Sequence, residues 1–244
     1  KLTGVTAALA AASLTLYNPK EDISMLLQKE REQIVDYGKK LITCGLTKGT
    51  GGNISIAVRD EDLMVISPSG IDYFETEPED VVVLRISDGS VVEGKRKPSS
   101  EHALHRIFYT DRDDIDAVVH THSTYATTLA TLGWGLPASN YMVALAGPDV
   151  RCAPYASFGT PELAKAAFEY MKDRYCVLLG NHGLVAGSRD IANAFNIASL
   201  MEECCETYYL ATVAGRANIL SPEEMAYMME RFKTYGQVKS KNEK

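Results

Sequence analysis

A pair of histidines at the end of an apolar segment constrains the fold and chemistry of this chain more than any other feature. Residues 116–123 read Asp-Ala-Val-Val-His-Thr-His-Ser, and the apolar residues predict the end of a buried strand. Side chains two residues apart on an extended chain point to the same face. His120 and His122 are therefore expected to face one space. Because the chain has only five histidines, this pair indicates a transition-metal site.

A third histidine follows a second predicted strand, over residues 175–179. The turn after that strand reads Gly-Asn-His-Gly and contains His182. Three imidazoles that leave one coordination position open are typical of a catalytic zinc ion, although imidazole also binds other divalent metals. A single such histidine would more often be a hydrogen-bonded core or turn residue, but three at strand ends favour the metal.

A candidate proton-transfer group lies where residues 98–101, Pro-Ser-Ser-Glu, open a helix predicted to run to about Tyr109. Helix amides and the helix dipole favour an acidic side chain there, so Glu101 has the simpler alternative role of stabilising the first turn. Beside a metal-bound carbonyl, the same carboxylate can move a proton at the neighbouring carbon. His102 and His105 are close enough on this helix to bind a metal together, but a packing or surface role is expected for both.

Three short turns of small residues predict an anion site. Each lies beside a predicted strand or helix, and its amides and hydroxyls can hold a phosphate without much positive charge. One such turn alone would be interpreted as an ordinary tight turn. Together with a metal site, they indicate a sugar phosphate. Their residues are Gly51, Gly52 and Asn53, then Ser69 and Gly70, then Ser99 and Ser100.

Composition and charge exclude several classes of protein. The 244 residues, 45% hydrophobic and 23% charged, are ordinary for one soluble globular domain with a large core. The net charge of −7 and the lack of a long basic run argue against a nucleic-acid partner, and no apolar segment is long enough for a membrane span. Five scattered cysteines without a Cys-x-x-Cys pair indicate reduced thiols in a cytoplasmic protein. Residues 1–24 are interpreted as an artificial or atypical N-terminal extension, and residues 25–244 as a single domain.

Segments with the apolar spacing of strands alternate along the chain with segments that have the apolar spacing of helices. This order predicts an α/β fold with a mixed sheet covered by helices. Strands are predicted over residues 54–58, 63–66, 81–86, 90–92, 115–119 and 175–179. Helices are predicted from a cap at Asn18 to a stop at Gly45, from 98 to 109, from 123 to 132, after Thr160, from 191 to 213, and after Ser221.

In chain order, the motifs GTGGN, SPSG, KPSSE, HTHS and NHG resemble the class II aldolase/adducin family, and the resemblance runs from about Met25 onward. It extends to residues 141–144, 152–160 and 231–236. The resemblance implies a three-layer α/β/α fold with a mixed, largely antiparallel central sheet. It also implies a homotetramer with C4 symmetry, with each active site between subunits.

The resemblance also implies a role for each matching residue. In such enzymes His120, His122 and His182 would hold one Zn²⁺ per subunit, and Glu101 would be the catalytic acid and base. The phosphate would lie among five residues of the turns: Asn53, Ser69, Gly70, Ser99 and Ser100.

Three aromatic residues are expected near the aldehyde part of the substrate. Tyr141 matches a tyrosine that transfers a proton to the aldehyde oxygen from a neighbouring subunit, and its alternative is a strand-edge tyrosine in the core. Tyr235 and Phe158 are expected on the aldehyde side as well.

The implied activity is a lyase reaction. A zinc-dependent aldolase would reversibly cleave a ketose 1-phosphate, with L-fuculose 1-phosphate expected first, to dihydroxyacetone phosphate and L-lactaldehyde, as in fucose degradation. Other members leave three alternatives open: an aldolase or dehydratase of methylthioribulose or deoxypentulose 1-phosphate, a ribulose-5-phosphate 4-epimerase, and a non-enzymatic adducin-like binding module. Glu101 argues against the epimerase, which typically has Asp in this motif, and the three histidines argue against the binding module.

Overall fold

The computed structural model describes residues 25–235, so the predicted extension, the cap at Asn18 and residues 236–244 lie outside the described range. Within it the helices are α1 (Gln28–Thr43), α2 (His102–Asp111), α3 (Thr124–Thr131), α4 (Pro161–Met171), α5 (Ile191–Ala214) and α6 (Pro222–Phe232). The strands are β1 (Asn53–Val58), β2 (Leu63–Ile66), β3 (Val82–Arg85), β4 (Val91–Glu93), β5 (Ala117–Thr121), β6 (Arg151–Ala153), β7 (Cys176–Leu179) and β8 (Gly183–Ser188).

One sheet joins all of these strands in the order β4-β3-β2-β1-β5-β8-β7-β6. Neighbouring strands are antiparallel, except for the parallel pair β6 and β7. Strand β5 lies between β1 and β8, so His120 faces Asn53 on one side and Val185 on the other in the pairing register. The predicted mixed, largely antiparallel sheet is confirmed.

Helices cover both faces of the sheet. Leu41 of α1, Leu129 of α3 and Met201 of α5 belong to one buried core, whereas Phe108 of α2 and Met171 of α4 belong to another. Successive side chains along a strand belong alternately to these two cores, because they point to opposite faces of the sheet. The predicted three-layer α/β/α architecture is therefore confirmed. Among the described residues, no helix is both long and apolar enough to cross a membrane.

Side-chain caps set the beginnings of three helices where the sequence predicts them. The Thr160 side chain accepts a hydrogen bond from the Leu163 amide at the start of α4. At the start of α5, the Asp190 side chain accepts from the Asn193 amide. Ser221 caps α6 by accepting from Glu224 N. Each cap supplies a partner to an amide that has none within the helix.

Two parts of the sheet differ from the sequence prediction. Strand β5 continues through His120 and Thr121, two residues beyond the predicted end, because both residues pair with β8. Strands β6 and β8 have no predicted counterpart. Strand β8 is glycine-rich and β6 has only three residues, so neither shows a clear alternation of apolar and polar residues.

Candidate metal centre and substrate cavities

His120 lies inside the central strand, and its ring orientation is set by the neighbouring strand β8. Its Nδ1 is 2.9 Å from the carbonyl oxygen of Leu184. A carbonyl only accepts, so Nδ1–H donates and the lone pair of Nε2 is left to face the site. A hydrogen bond of this kind is what fixes the tautomer of a metal-binding histidine.

The other two histidines reach the same place from turns. His122 is the first residue after β5, and His182 lies in the turn between β7 and β8. That turn packs directly on β5: a Cβ added to Gly183 would lie 2.2 Å from the Thr121 carbonyl oxygen. Asn181 adopts the left-handed conformation, φ 55°, which asparagine tolerates better than most residues.

The three imidazoles and one carboxylate form a group whose possible ligand atoms all lie within 4.8 Å of one another. His120 Nε2 is 3.0 Å from His122 Nε2. Glu101 Oε2 lies 3.4 Å from His120 Nε2, and Glu101 Oε1 lies 3.5 Å from His182 Nε2.

Burial keeps these histidines neutral. It lowers the pKa of His120 well below its usual value, and it also lowers the pKa of His122 and of His182. Neutral nitrogens and a carboxylate directed at one point are a donor set suited to a divalent cation, so the residues fit a metal ion.

Glu101 is buried, and its two oxygens have different surroundings. It precedes α2, and its backbone amide donates to Ser99 Oγ over 3.2 Å. Oε2 accepts a hydrogen bond of 3.0 Å from Asn53 Nδ2. Oε1 is buried and has no hydrogen-bond partner among the described residues. An unpaired buried oxygen is costly in an isolated chain, so it marks the place for a metal or substrate.

The three predicted turns meet in one cavity of about 120 Å³ next to the metal cluster. Among the described residues its lining includes neither lysine nor arginine, so the donors for an anion are amides and hydroxyls. The residues that line it are Thr50, Gly51, Gly52, Asn53, Pro68, Ser69, Gly70, Ser99, Ser100, Glu101 and His122.

Tyr73 is not among the site residues predicted from the sequence, but its side chain supports the wall of this cavity. Its phenol donates to the Gly52 carbonyl oxygen over 2.9 Å. Gly52 itself has φ +68°, and a Cβ there would lie 2.6 Å from the His120 carbonyl oxygen. The glycine is therefore needed both for the turn and for its contact with β5.

A second cavity of about 320 Å³ also adjoins the cluster. Glu101, His122 and His182 line it together with Tyr155 and Phe158. Both aromatic side chains are exposed, Phe158 to 71%. The structure therefore brings Phe158 into a cavity that the metal-cluster residues also line.

Tyr141 and Tyr235 line a different cavity, of about 600 Å³, whose lining includes none of the metal-cluster residues. Tyr141 begins a short 3-10 helix (Tyr141–Leu145) and stacks on Phe232, with ring centroids 6.2 Å apart. Its side chain is half exposed. The alternative interpretation of Tyr141 as a core residue at a strand edge is therefore wrong.

His105, expected to have a packing or surface role, is fully buried directly behind the site. It contacts Asn53 Oδ1 through Nε2 over 2.5 Å and Ser55 Oγ through Nδ1 over 2.7 Å. Burial, helped by nearby His120, lowers the pKa of His105 to about 3, so the ring is neutral. A sequence signal was present: Glu101, His105 and Tyr109 are spaced by four and share one helix face. His102 is only partly buried.

Comparison with known proteins gives a family and several close relatives. The model of the Class II Aldolase and Adducin N-terminal domain matches residues 32–209. The chain is 58% identical over 213 residues to 5-deoxy-D-ribulose 1-phosphate aldolase from Bacillus thuringiensis serovar kurstaki, covering 87% of this chain and 100% of that protein. It is 40% identical over 211 residues to L-fuculose phosphate aldolase from Escherichia coli K12, covering 85% and 96%.

A solved structure gives the same result at the level of the fold. An L-fuculose 1-phosphate aldolase superposes with a TM-score of 0.82 and 52% identity, covering 84% of this chain and 96% of the other. The similarity therefore extends over almost the whole length of these relatives.

Proposed function

Because the chain belongs to the class II aldolase and adducin family and is a class II aldolase of sugar phosphates, we propose that its substrate is 5-deoxy-D-ribulose 1-phosphate. The observation that carries this choice is the 58% identity to a 5-deoxy-D-ribulose 1-phosphate aldolase over the whole of that relative. Cleavage of the C3–C4 bond yields dihydroxyacetone phosphate from C1–C3 and acetaldehyde from C4–C5.

L-Fuculose 1-phosphate is the second candidate. It is favoured by the 40% identity to an L-fuculose phosphate aldolase and by the solved structure with 52% identity. The two substrates share the phosphorylated C1–C3 half and a terminal methyl group. They differ by one CHOH unit, so the second substrate would release L-lactaldehyde instead of acetaldehyde.

We propose that the metal is Zn²⁺ and that His120, His122 and His182 would hold it, with the Glu101 carboxylate beside it. Three neutral imidazoles within 4.8 Å of a carboxylate support this assignment. When bound, the ion supplies a Lewis acid at the ketose oxygens, where negative charge develops during cleavage.

The protein groups then divide the remaining tasks. The turn residues Asn53, Ser69, Gly70, Ser99 and Ser100 would bind the phosphate through amides and hydroxyls. Their cavity adjoins Glu101, which supports this assignment. Glu101 would protonate C3 after cleavage and remove the same proton in the condensation direction. Its unpaired Oε1 is the oxygen available for this transfer.

Tyr141 and Tyr235 would act across a subunit boundary, in a homotetramer with C4 symmetry. Both line a cavity that contains no metal-cluster residue, and both are exposed on the single chain. Tyr141 would exchange a proton with the C4 oxygen of the substrate. Tyr235, together with Phe158 of the chain that holds the metal, would lie beside the terminal methyl group.

A direct comparison of the two substrates tests the proposal. We would measure release of dihydroxyacetone phosphate from each ketose 1-phosphate and identify the aldehyde, with ribulose 5-phosphate as the test for epimerisation. We expect the higher kcat/KM for 5-deoxy-D-ribulose 1-phosphate. A higher value for L-fuculose 1-phosphate would reverse the assignment, and no cleavage of either would refute both.

A further inference from the structure

A buried chain of hydrogen bonds leads from Glu101 away from the metal cluster. Glu101 Oε2 is 3.0 Å from Asn53 Nδ2, and Asn53 Oδ1 is 2.5 Å from His105 Nε2. His105 Nδ1 is 2.7 Å from Ser55 Oγ, which is 2.6 Å from Tyr109 Oη. All five side chains are buried. Asn53 and Ser55 come from one face of β1, His105 and Tyr109 come from one face of α2, and Glu101 directly precedes that helix.

The chemistry of these groups allows only one direction for the hydrogen bonds. The amide oxygen of Asn53 only accepts, so His105 Nε2 carries a hydrogen and donates to it. The ring is neutral, as described above, so Nδ1 has no hydrogen and must accept from Ser55. The Ser55 oxygen is then free to accept from the phenol of Tyr109. Every donor therefore points toward Glu101, and the chain ends on Oε2.

This direction distinguishes the two oxygens of Glu101. Oε2 is held as an acceptor by the Asn53 amide, whereas Oε1 is buried and has no hydrogen-bond partner among residues 25–235. If the His105 ring carried its hydrogen on Nδ1, Nε2 would accept and the Asn53 amide would turn over. Two oxygens, Asn53 Oδ1 and Glu101 Oε2, would then face each other, and the carboxylate would lose its hydrogen bond.

We propose that His105, Ser55 and Tyr109 are positioning residues that fix the Asn53 amide, so that Glu101 presents Oε1 to C3 of the substrate. This inference rests on the proposed role of Glu101 in proton transfer. None of the three needs to touch substrate or metal. Their effect reaches the reaction through the geometry of one carboxylate, which has to be held closely for efficient proton transfer.

The test measures only the proton-transfer half of the reaction, which does not require cleavage of the C3–C4 bond. Without any aldehyde, the enzyme should exchange one C3 hydrogen of dihydroxyacetone phosphate with solvent deuterium, a step that needs Glu101 but neither Tyr141 nor a particular aldehyde. We expect Tyr109→Phe and Ser55→Ala to lower kcat for exchange about three- to ten-fold and to leave KM and zinc content unchanged. We expect His105→Leu to lower it about 10- to 100-fold.

Two further variants separate positioning from packing. His105→Gln keeps a donor near the Nε2 position and should recover much of the rate that His105→Leu loses. Tyr73→Phe removes another buried phenol, one that donates to the Gly52 carbonyl beside the phosphate cavity. It should raise KM for dihydroxyacetone phosphate rather than lower kcat. Nitrogen-15 NMR of labelled histidine should find His105 as the Nε2–H tautomer, with Nδ1 unprotonated.

The outcomes separate this inference from the proposed function. If the wild-type enzyme exchanges no deuterium, the proposed function fails. If wild-type exchange is normal and Tyr109→Phe and Ser55→Ala keep its kcat, or if His105→Gln is as slow as His105→Leu, the positioning role is refuted. An Nδ1–H tautomer at His105 would refute the direction of the chain.

Discussion

The two oxygens of Glu101 have different surroundings: Oε2 accepts from Asn53, and Oε1 has no hydrogen-bond partner among the described residues. Glu101→Gln keeps the shape of the side chain but removes the group that carries the proton. We expect bound zinc to remain and kcat for cleavage to fall by a factor of roughly 10²–10⁴, the usual contribution of proton transfer. Metal content and release of dihydroxyacetone phosphate would be measured on one preparation. Cleavage at the wild-type rate would remove Glu101 from the mechanism.

At the residue scale, the sequence could identify the groups that face the site but not those behind it. His120 and His122 are found because an i, i+2 pair on a strand is a local pattern. Tyr73 and His105 form hydrogen bonds with residues that are 21 and 52 positions away along the chain. The spacing of Glu101, His105 and Tyr109 by four indicates only that they share one side of the helix, so the contacts themselves are revealed by the fold.

At the scale of elements, the turn between β7 and β8 supports His182 by lying against β5. Gly183→Ala would place a methyl group 2.2 Å from the Thr121 carbonyl oxygen, so the turn or the strand has to move. We expect a loss of about 1–3 kcal/mol in the free energy of unfolding and weaker zinc binding. Denaturant unfolding and metal titration would measure the two effects.

Gly215→Ala is the matched control for that variant. Gly215 lies at the end of α5, and a Cβ there would meet nothing within 4 Å. We expect its stability to stay within about 0.5 kcal/mol of the wild type. If Gly183→Ala and Gly215→Ala have equal stability and equal zinc affinity, the close packing of the turn on β5 contributes to neither property.

The connection from α2 to β5 contains an ion pair with a predictable pH dependence. Arg112 donates to both carboxylate oxygens of Asp114, each over 2.7 Å, and lowers the pKa of Asp114 to about 2. Because the folded-state pKa lies below the unfolded value of about 3.9, the pair stabilises the protein above that pH. Its contribution is lost as pH falls through about 2.

Asp114→Asn should therefore lower Tm at neutral pH, and the difference from wild type should shrink as pH falls from about 4 to 2. Thermal unfolding across this range would measure it. Asp113→Asn, at the exposed neighbouring position, is the control and should change Tm little at any pH. A difference that persists unchanged at pH 2 would contradict the electrostatic explanation.

Within the described residues the predicted start of α1 was wrong, because the helix begins only at Gln28, after Leu27 in the left-handed conformation (φ 55°) and without a side-chain cap. The starts of α4, α5 and α6 were accessible from sequence, because a residue directly before each helix caps it. Strands β6 and β8 were not. The first is three residues long, and the second begins with a glycine that is required by packing rather than by strand propensity. Their positions depend on pairing partners elsewhere in the sheet.

At the scale of the whole molecule, one chain contains every proposed part of the site but does not bring them all together. Glu101 lines the cavities beside the metal cluster, and Tyr141 lines a separate one. If the active site lies between subunits, a Glu101→Gln subunit and a Tyr141→Phe subunit can complement each other. We expect mixed oligomers of the two variants to cleave substrate faster than either parent variant, because some sites regain both side chains.

Tyr141→Phe alone should slow cleavage but leave the deuterium exchange of dihydroxyacetone phosphate near the wild-type rate. If a mixture of the Glu101→Gln and Tyr141→Phe variants has only the average of their separate activities, the proposal of a site shared between subunits is contradicted. The sequence could suggest this arrangement only through family resemblance, since the order of strands and the surfaces left exposed follow from long-range pairing.

The claim on which the rest depends is that the three histidines make this protein a metal-dependent aldolase. The most direct test is to remove the metal by chelation, confirm that the protein stays folded, and measure release of dihydroxyacetone phosphate from 5-deoxy-D-ribulose 1-phosphate before and after zinc is returned. We expect cleavage to disappear with the metal and to recover fully at one zinc per subunit. Undiminished cleavage by folded, metal-free protein would contradict the account.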